Sequence, residues 1–177
     1  MSGVRVVAVT GRPGSGKTTL AAALAERLGW PLVARDTIKH AMVWNADGYR
    51  PGPGDPYALR TLETMAAVLA AYTGAGVSVV AEAAYQEKLW RRALEGCAGR
   101  AEVRVVRCTV APETAVQRMR ERIEAEPGRL RAHTDAQYLA ELPDFTPVDL
   151  GVPALDVDTG SGYRPGLDAV ASFSTGR

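Results

Sequence analysis

The sequence is poor in cysteine, in lysine and in net charge. Its 177 residues hold two cysteines, Cys97 and Cys108, too few for the disulfide framework of a small secreted domain, so both are expected as buried thiols. Twenty-one basic residues against 20 acidic ones leave a formal charge of +1. That balance excludes the broad positive field of a protein that coats nucleic acid. Only Lys17, Lys39 and Lys88 are lysines, the other basic residues being arginine, a bias that high-GC codon usage accounts for. Long hydrophobic runs are missing too. The apolar stretch after Met1–Arg5 is broken at Gly11 and Arg12, short of a bilayer span and without a cleavage pattern, and a cytoplasmic location is expected. No Asp has Gly three residues later and no lysine stands in an Asn-Lys-x-Asp setting, so the switch and base-reading motifs of GTP signalling are absent. A hydrophobic strand ending in paired acids, the mark of a large mechanical ATPase, is absent as well.

What is present is the make-up of one ordinary folded domain over residues 1–177, 46% hydrophobic and 23% charged. Val4 to Val9 is a β-branched run suited to a strand buried on both faces. Gly11 to Gly16 breaks it, and Lys17 to Leu28 then reads as a helix with Leu20, Leu24 and Leu28 on one stripe and Gly29 as its stop. A second strand is expected over Pro31 to Ala34, followed by a helix that Asp36 can cap, through about Val43. Asn45 to Pro56 holds three Gly and three Pro and reads as a loop. Residues 57 to 73 carry the helical stripe Leu59, Leu62, Ala66 and Leu69. Further strands are expected over Val77 to Ala81, over Val103 to Val110 with Arg104 and Arg107 interrupting it, and over Ala154 to Val157. Helices are expected over Glu87 to Cys97, from Pro112 to about Glu124, and from Pro165 to Phe173. The alternation predicts an α/β fold, a parallel sheet with right-handed crossovers and helices on both faces.

Gly11-Arg12-Pro13-Gly14-Ser15-Gly16-Lys17-Thr18 matches GxxxxGK[ST] between a strand and a helix. Glycines let backbone N–H groups turn inward around phosphates, the helix start adds partial positive charge, and Lys17 reaches the β/γ-phosphate oxygens while Thr18 offers a hydroxyl to Mg²⁺. Gly11, Gly14, Ser15, Gly16, Lys17, Thr18 and Thr19 are therefore the expected nucleotide-binding residues. Asp36 falls at the C-terminal edge of the second strand, where it could take the proton of an acceptor hydroxyl or serve only as a helix cap. Glu82, on the same edge, could hold water on Mg²⁺ or bind a substrate hydroxyl, or pair with a helix arginine. Tyr85 and Gln86 are candidates for an acceptor pocket. Arg118, Arg120, Arg122, Arg129 and Arg131, with His133, crowd into 118–134, a segment that would close as a lid over a triphosphate or else form a solvated helix paired with Glu121, Glu124 and Glu126. His133 lacks a second ligand at a metal-binding spacing. Trp44, Tyr49 and Tyr57, in the 44–60 acceptor-side segment with Lys39 nearby, could stack on a flat or sugar-bearing substrate.

The chain resembles the small P-loop kinases of the zeta-toxin, polynucleotide-kinase and chloramphenicol-phosphotransferase group. The resemblance rests on residues 11–18, on Arg35-Asp36-Thr37-Ile38-Lys39, on Val80-Ala81-Glu82-Ala83 and on the arginine-rich segment. It implies a three-layer P-loop kinase fold with a five-stranded sheet in the order 2-3-1-4-5. It further implies ATP and Mg²⁺, Asp36 as general base, Lys17, Arg118 and Arg122 acting in transfer, Arg129 on the triphosphate, and Asp158-Thr159 bordering the adenine with Gly160 to Tyr163 near the base. Glu82-Ala83-Ala84-Tyr85 stands where many relatives have Glu-Ala-Asn-Phe. Compact size and the Gly-Asp-Pro loop at 54–56 are similar to antibiotic-modifying phosphotransferases, including those acting on nucleoside antibiotics such as capuramycin. The expected reaction is transfer of the γ-phosphoryl group to a hydroxyl of a small molecule, with no nucleic-acid or membrane partner. The alternatives are a nucleic-acid 5′-hydroxyl kinase and a nucleotide-binding regulatory module.

Overall fold

The computed structural model describes residues 3–44, 46–52, 54–126, 138–139 and 145–177. Five parallel strands, β1 (Arg5–Thr10), β2 (Leu32–Ala34), β3 (Val79–Glu82), β4 (Glu102–Thr109) and β5 (Ala154–Asp158), form one sheet in the order β2-β3-β1-β4-β5. Around it lie α1 (Lys17–Leu28), α2 (Arg35–Val43), α3 (Pro56–Gly74), α4 (Glu87–Leu94), α5 (Pro112–Ala125) and α6 (Leu167–Thr175). This is the P-loop kinase fold and the strand order that the sequence implied.

The β-branched run of β1 is explained by burial from both sides. Val6 and Ala8 join Val79, Ala81, Leu62, Met65, Leu69 and Trp90 on the face covered by α3 and α4. Val7 and Val9 point the other way, into Leu20, Leu24, Val80, Val106 and Val170 under α1 and α6. A strand whose alternate residues enter two separate cores has no polar face to show. Both cysteines are buried thiols, and burial pushes the Cys108 thiol up to about 12.

Several boundaries differ from the sequence reading for local reasons. α2 starts at Arg35 directly from the extended Ala34, so Asp36 is not its cap but a first-turn residue, where a carboxylate meets the positive end of the helix dipole. β3 starts at Val79, because the Val77 N–H is spent on Tyr72 O at the end of α3. The helix expected to reach Cys97 tightens into a 3-10 turn over Glu95–Cys97, where Gly96 lies so near Ala70 that an added Cβ would stand 2.9 Å from the alanine's own. Arg104 and Arg107 do not interrupt β4. Arg104 lies over the Phe173 ring at 5.3 Å and donates to its carbonyl, and Arg107 forks onto Asp156, its register partner in β5, at 2.6 and 3.0 Å. α6 begins at Leu167 because the chain from Asp158 to Arg164 first closes an antiparallel bridge.

Candidate active site

Beyond Thr10, whose hydroxyl accepts from the buried Trp90 indole N–H at 3.2 Å, the chain turns back on itself over Gly11 to Gly16. Gly14 and Gly16 sit at φ 77° and 75°, which an L side chain seldom adopts. Close approach adds a second requirement at Gly14, where a Cβ would come within 2.2 Å of the Ala115 carbonyl oxygen. The loop is thus pressed onto the start of α5. From the other side Thr159 donates its hydroxyl proton to Ser15 O at 2.7 Å. Gly16 offers no side-chain cap to α1, so the first-turn amides of Lys17, Thr18 and Thr19 open from the helix end with its partial positive charge. An uncapped helix start behind a glycine loop fits a bound phosphate chain.

Lys17 and Glu82 form a buried pair at 3.6 Å, their side chains 9% and 3% exposed. Burial pushes the Glu82 carboxyl upward, Asp36 adds a like-charge push, and Lys17 and the Thr18 hydroxyl pull the other way without cancelling it. Glu82 comes here through register: it pairs with Val9 of β1 and Ala34 of β2, and so stands between the phosphate loop and the start of α2. Thr18 and Glu82, a hydroxyl beside a carboxylate, are hard oxygen donors of the kind Mg²⁺ takes when it is held chiefly by phosphates and water. Among the described residues no group of three or more His, Cys, Asp and Glu could hold a metal alone.

A cleft of about 480 Å³ opens beside the loop. Its charged lining is Lys17, Arg35, Asp36, Lys39, Arg92 and Arg122; Leu59, Leu62 and Leu89 form an apolar wall, and Pro13, Tyr85 and Tyr138 also line it. Arg35 holds Asp36 Oδ1 at 2.9 Å. Burial lowers the affinity of the Arg35 guanidinium for its proton, and the Asp36 carboxylate and the Tyr85 hydroxyl more than restore it. Tyr85 is itself pushed above the ordinary tyrosine range, mainly by burial. Lys39 lines the cleft but its ammonium is committed to Asp55 at 2.5 Å, both side chains being less than one-tenth exposed.

The aromatic residues expected to stack on an acceptor are placed elsewhere. Trp44 is 71% exposed and meets only the edge of His40 among the described rings. Tyr49 and Tyr57 pack edge to face at 5.2 Å, and Tyr49 donates its hydroxyl proton to Asp55 at 2.6 Å. None of the three lines the cleft; Tyr49 and Tyr57 are organised by Asp55, not by a ligand, since it also caps α3 by accepting from the Tyr57 N–H. Gln86 stands outside the cleft at the start of α4. Arg118 donates to Thr159 O at 2.8 Å and Gly160 O at 3.1 Å, which ties α5 to the loop after β5 and holds its guanidinium next to Gly16. Asp158 turns its carboxylate inward onto the Gly160 N–H at 2.7 Å. Glu121 accepts from Gln117 at 2.8 Å. Arg129, Arg131 and His133, and with them residues 127–134 of the expected lid, lie outside the described residues. The residues that sequence reasoning missed are Arg92 and Trp90, neither of which belongs to a local motif.

Comparison with known proteins bears on the fold. The profile of a family described as an AAA domain matches residues 6–143. No curated protein matches. A chain from Chloroflexus aurantiacus provisionally assigned as a kinase has a TM-score of 0.78 at 24% identity, over 98% of this chain and 97% of its own. The APS kinase of Mycobacterium tuberculosis, determined with AMPPNP and APS, gives 0.64 at 20% identity over 97% of each chain. A gluconokinase from Sinorhizobium meliloti gives 0.61 at 17% identity, over 99% of this chain and 90% of its own.

Proposed function

The chain belongs to the AAA domain family, and from that premise we propose that it is an ATP- and Mg²⁺-dependent phosphotransferase whose acceptor is a hydroxyl of a small molecule. The carrying observation is that Asp36 and Lys17 line one cleft, so a phosphate seat and a carboxylate base face a common space. That cleft has the volume of a small-molecule site and an apolar wall. Proteins of the same fold include a gluconokinase and an APS kinase, which supports an acceptor of that size. An antibiotic acceptor rests on the sequence resemblance alone and is one member of this class.

The chemistry divides among the residues as follows. The amides of Gly16 to Thr19 and the Lys17 ammonium hold the β- and γ-phosphates. Asp36, oriented by Arg35, accepts the proton of the acceptor hydroxyl as its oxygen bonds to the γ-phosphorus and the bond to the bridging oxygen breaks, releasing ADP. Lys17 and Arg122 offset the charge that builds on the transferred group, and Arg118, bound to the Thr159 and Gly160 carbonyls, keeps α5 against the phosphate loop. Thr18 and Glu82 would hold Mg²⁺ together with the phosphates and water, and the ion would supply charge neutralisation on those phosphates.

Incubation of a panel of hydroxyl compounds with ATP and Mg²⁺, read by mass for one added phosphoryl group, tests the reading. Asp36→Asn should keep ATP affinity and melting temperature within the small change expected of a first-turn residue, while the rate of transfer falls about 10²- to 10⁴-fold. A variant as fast as wild type removes Asp36 from the chemistry, and an absence of any phosphorylated product leaves only nucleotide binding.

A further inference from the structure

The cleft is electrostatically one-sided. Among the described residues five cations and a single carboxylate line it, in a chain whose formal charge is +1. The balancing acids stand behind the cations: Glu82 behind Lys17, Asp55 behind Lys39, and Glu63 behind Arg92. Four of the five cations already have duties, Arg122 being assigned with Lys17 to the transferred phosphoryl group. Lys17 belongs to the phosphate loop, Arg35 orients Asp36, and Lys39 is locked to Asp55 with 4% of its side chain exposed.

Arg92 differs. Its partner Glu63 is 3.2 Å away, and the two side chains are 54% and 55% exposed, so this pair is screened by water and readily exchanged. Arg92 lies on α4, one turn beyond Leu89, and borders both the cleft and a shallow groove lined by Leu62, Glu63, Ala66, Glu95 and Gly96. It is therefore on the α3–α4 side of the cleft, beside Leu62 and Leu89 of the apolar wall. Guanidinium presents a planar pair of N–H donors that matches carboxylate, phosphate and sulfate alike.

We infer that the acceptor carries an anionic group, held by Arg92 in place of Glu63, at the end of the molecule away from the hydroxyl that is phosphorylated. The inference rests on the phosphotransfer reading and deepens it: the carbon skeleton lies on Leu59, Leu62 and Leu89, the hydroxyl meets Asp36, and Arg92 selects for charge.

Matched acceptors test this: gluconate against sorbitol, glycerate against glycerol, ribose 5-phosphate against ribose, and adenosine 5′-phosphate against adenosine, each with ATP and Mg²⁺. At least one anionic member should be phosphorylated with kcat/KM tenfold or more above its neutral counterpart. Arg92→Ala should raise the KM of that anion about tenfold and leave the KM of ATP in place, Arg92→Lys should recover part of the loss, and Glu63→Gln should lower the anion's KM by removing its competitor. Both residues are half-exposed, so all three variants should melt with wild type. Equal use of charged and neutral members, or a charge preference that survives Arg92→Ala, overturns the anion seat and leaves phosphotransfer standing. Labelling of a 5′-hydroxyl oligonucleotide with no small anion accepted also overturns it. No transfer to any compound removes the phosphotransfer reading and this inference with it.

Discussion

Breaking the Lys39–Asp55 pair should be costly in a way that a second substitution repairs. Neither side chain is as much as one-tenth exposed and the charged atoms are 2.5 Å apart, so removing one partner strands the other in a poorly solvated place. In Asp55→Asn the amide oxygen can still accept from the Tyr57 N–H and so keep the α3 cap. The loss is then that of an uncompensated buried ammonium, about 3–5 kcal/mol. At about 2–4 °C per kcal/mol for a domain of this size, the melting temperature should drop by about 6–20 °C. Lys39→Met should fall at the lower end, because the Asp55 carboxylate keeps the Tyr49 and Tyr57 donors. The double variant holds no buried charge and should recover about 2–3 kcal/mol relative to the sum of the singles, read by urea unfolding at neutral pH. A pH series adds a second reading. Burial raises the Asp55 carboxyl, but Lys39, Tyr49 and the Tyr57 N–H together bring it below its ordinary value of 3.8. Its stabilisation is therefore present above that pH and lost as the pH falls through the lower folded value, a loss that Asp55→Asn cannot show. Single variants that cost under about 1 kcal/mol and add without coupling would refute the reasoning.

Lys17→Ala should abolish transfer and also leave Glu82 buried without its cation. Because the Glu82 carboxyl already titrates above its ordinary 4.5, its stabilising effect belongs to the protonated form and is lost as pH rises through the folded value. The gap in melting temperature between variant and wild type should thus widen from pH 5 to pH 8, and Lys17→Ala/Glu82→Gln should close it; a gap independent of pH contradicts this. Gly14→Ala forces a side chain into a left-handed backbone, about 1–2 kcal/mol, and drives its Cβ against Ala115 O. Calorimetry should show ATP affinity reduced at least about tenfold, equivalent to about 1.4 kcal/mol, and wild-type affinity would show that the loop does not need its contact with α5.

What could be read from the sequence was what repeats locally. The phosphate loop, the bounds of α1 and the buried character of β1 each follow from a contiguous pattern, and the strand order followed from the resemblance those patterns carry. Asp36 and Glu82 were legible as edge residues, since Glu82 closes an apolar strand and Asp36 follows one by two residues. The acceptor side was not legible. Tyr49 and Tyr57 are attached to Asp55 through contacts that only the folded 46–57 segment makes, and an aromatic residue in a polar loop gives the same signal whether it faces a ligand or a neighbouring carboxylate. Arg92 was hidden for another reason: Arg91 and Arg92 are adjacent, and one donates to Glu87 on the outer surface while the other lines the cleft. Only the rotation of α4 on the core, fixed by Trp90 in its buried seat against Thr10, decides which is which.

Net charge misleads here because folding separates the signs. Lys17 comes from α1, Arg35 and Lys39 from α2, Arg92 from α4 and Arg122 from α5, and no window of the sequence holds them together. They converge because parallel strands bring every following segment to the same edge of the sheet, the edge at which open α/β sheets bind ligands. The acids that balance them approach from β3, α3 and the loop before it, and so pair with the cations from behind. Among the described residues the cleft therefore presents five cations and one carboxylate, whatever the total charge of the chain. Leu59, Leu62 and Leu89 share that cleft with Asp36 and Arg92, and the neighbouring groove sets Glu63 and Glu95 beside Arg92, so among the described residues the cations are gathered on the cleft side.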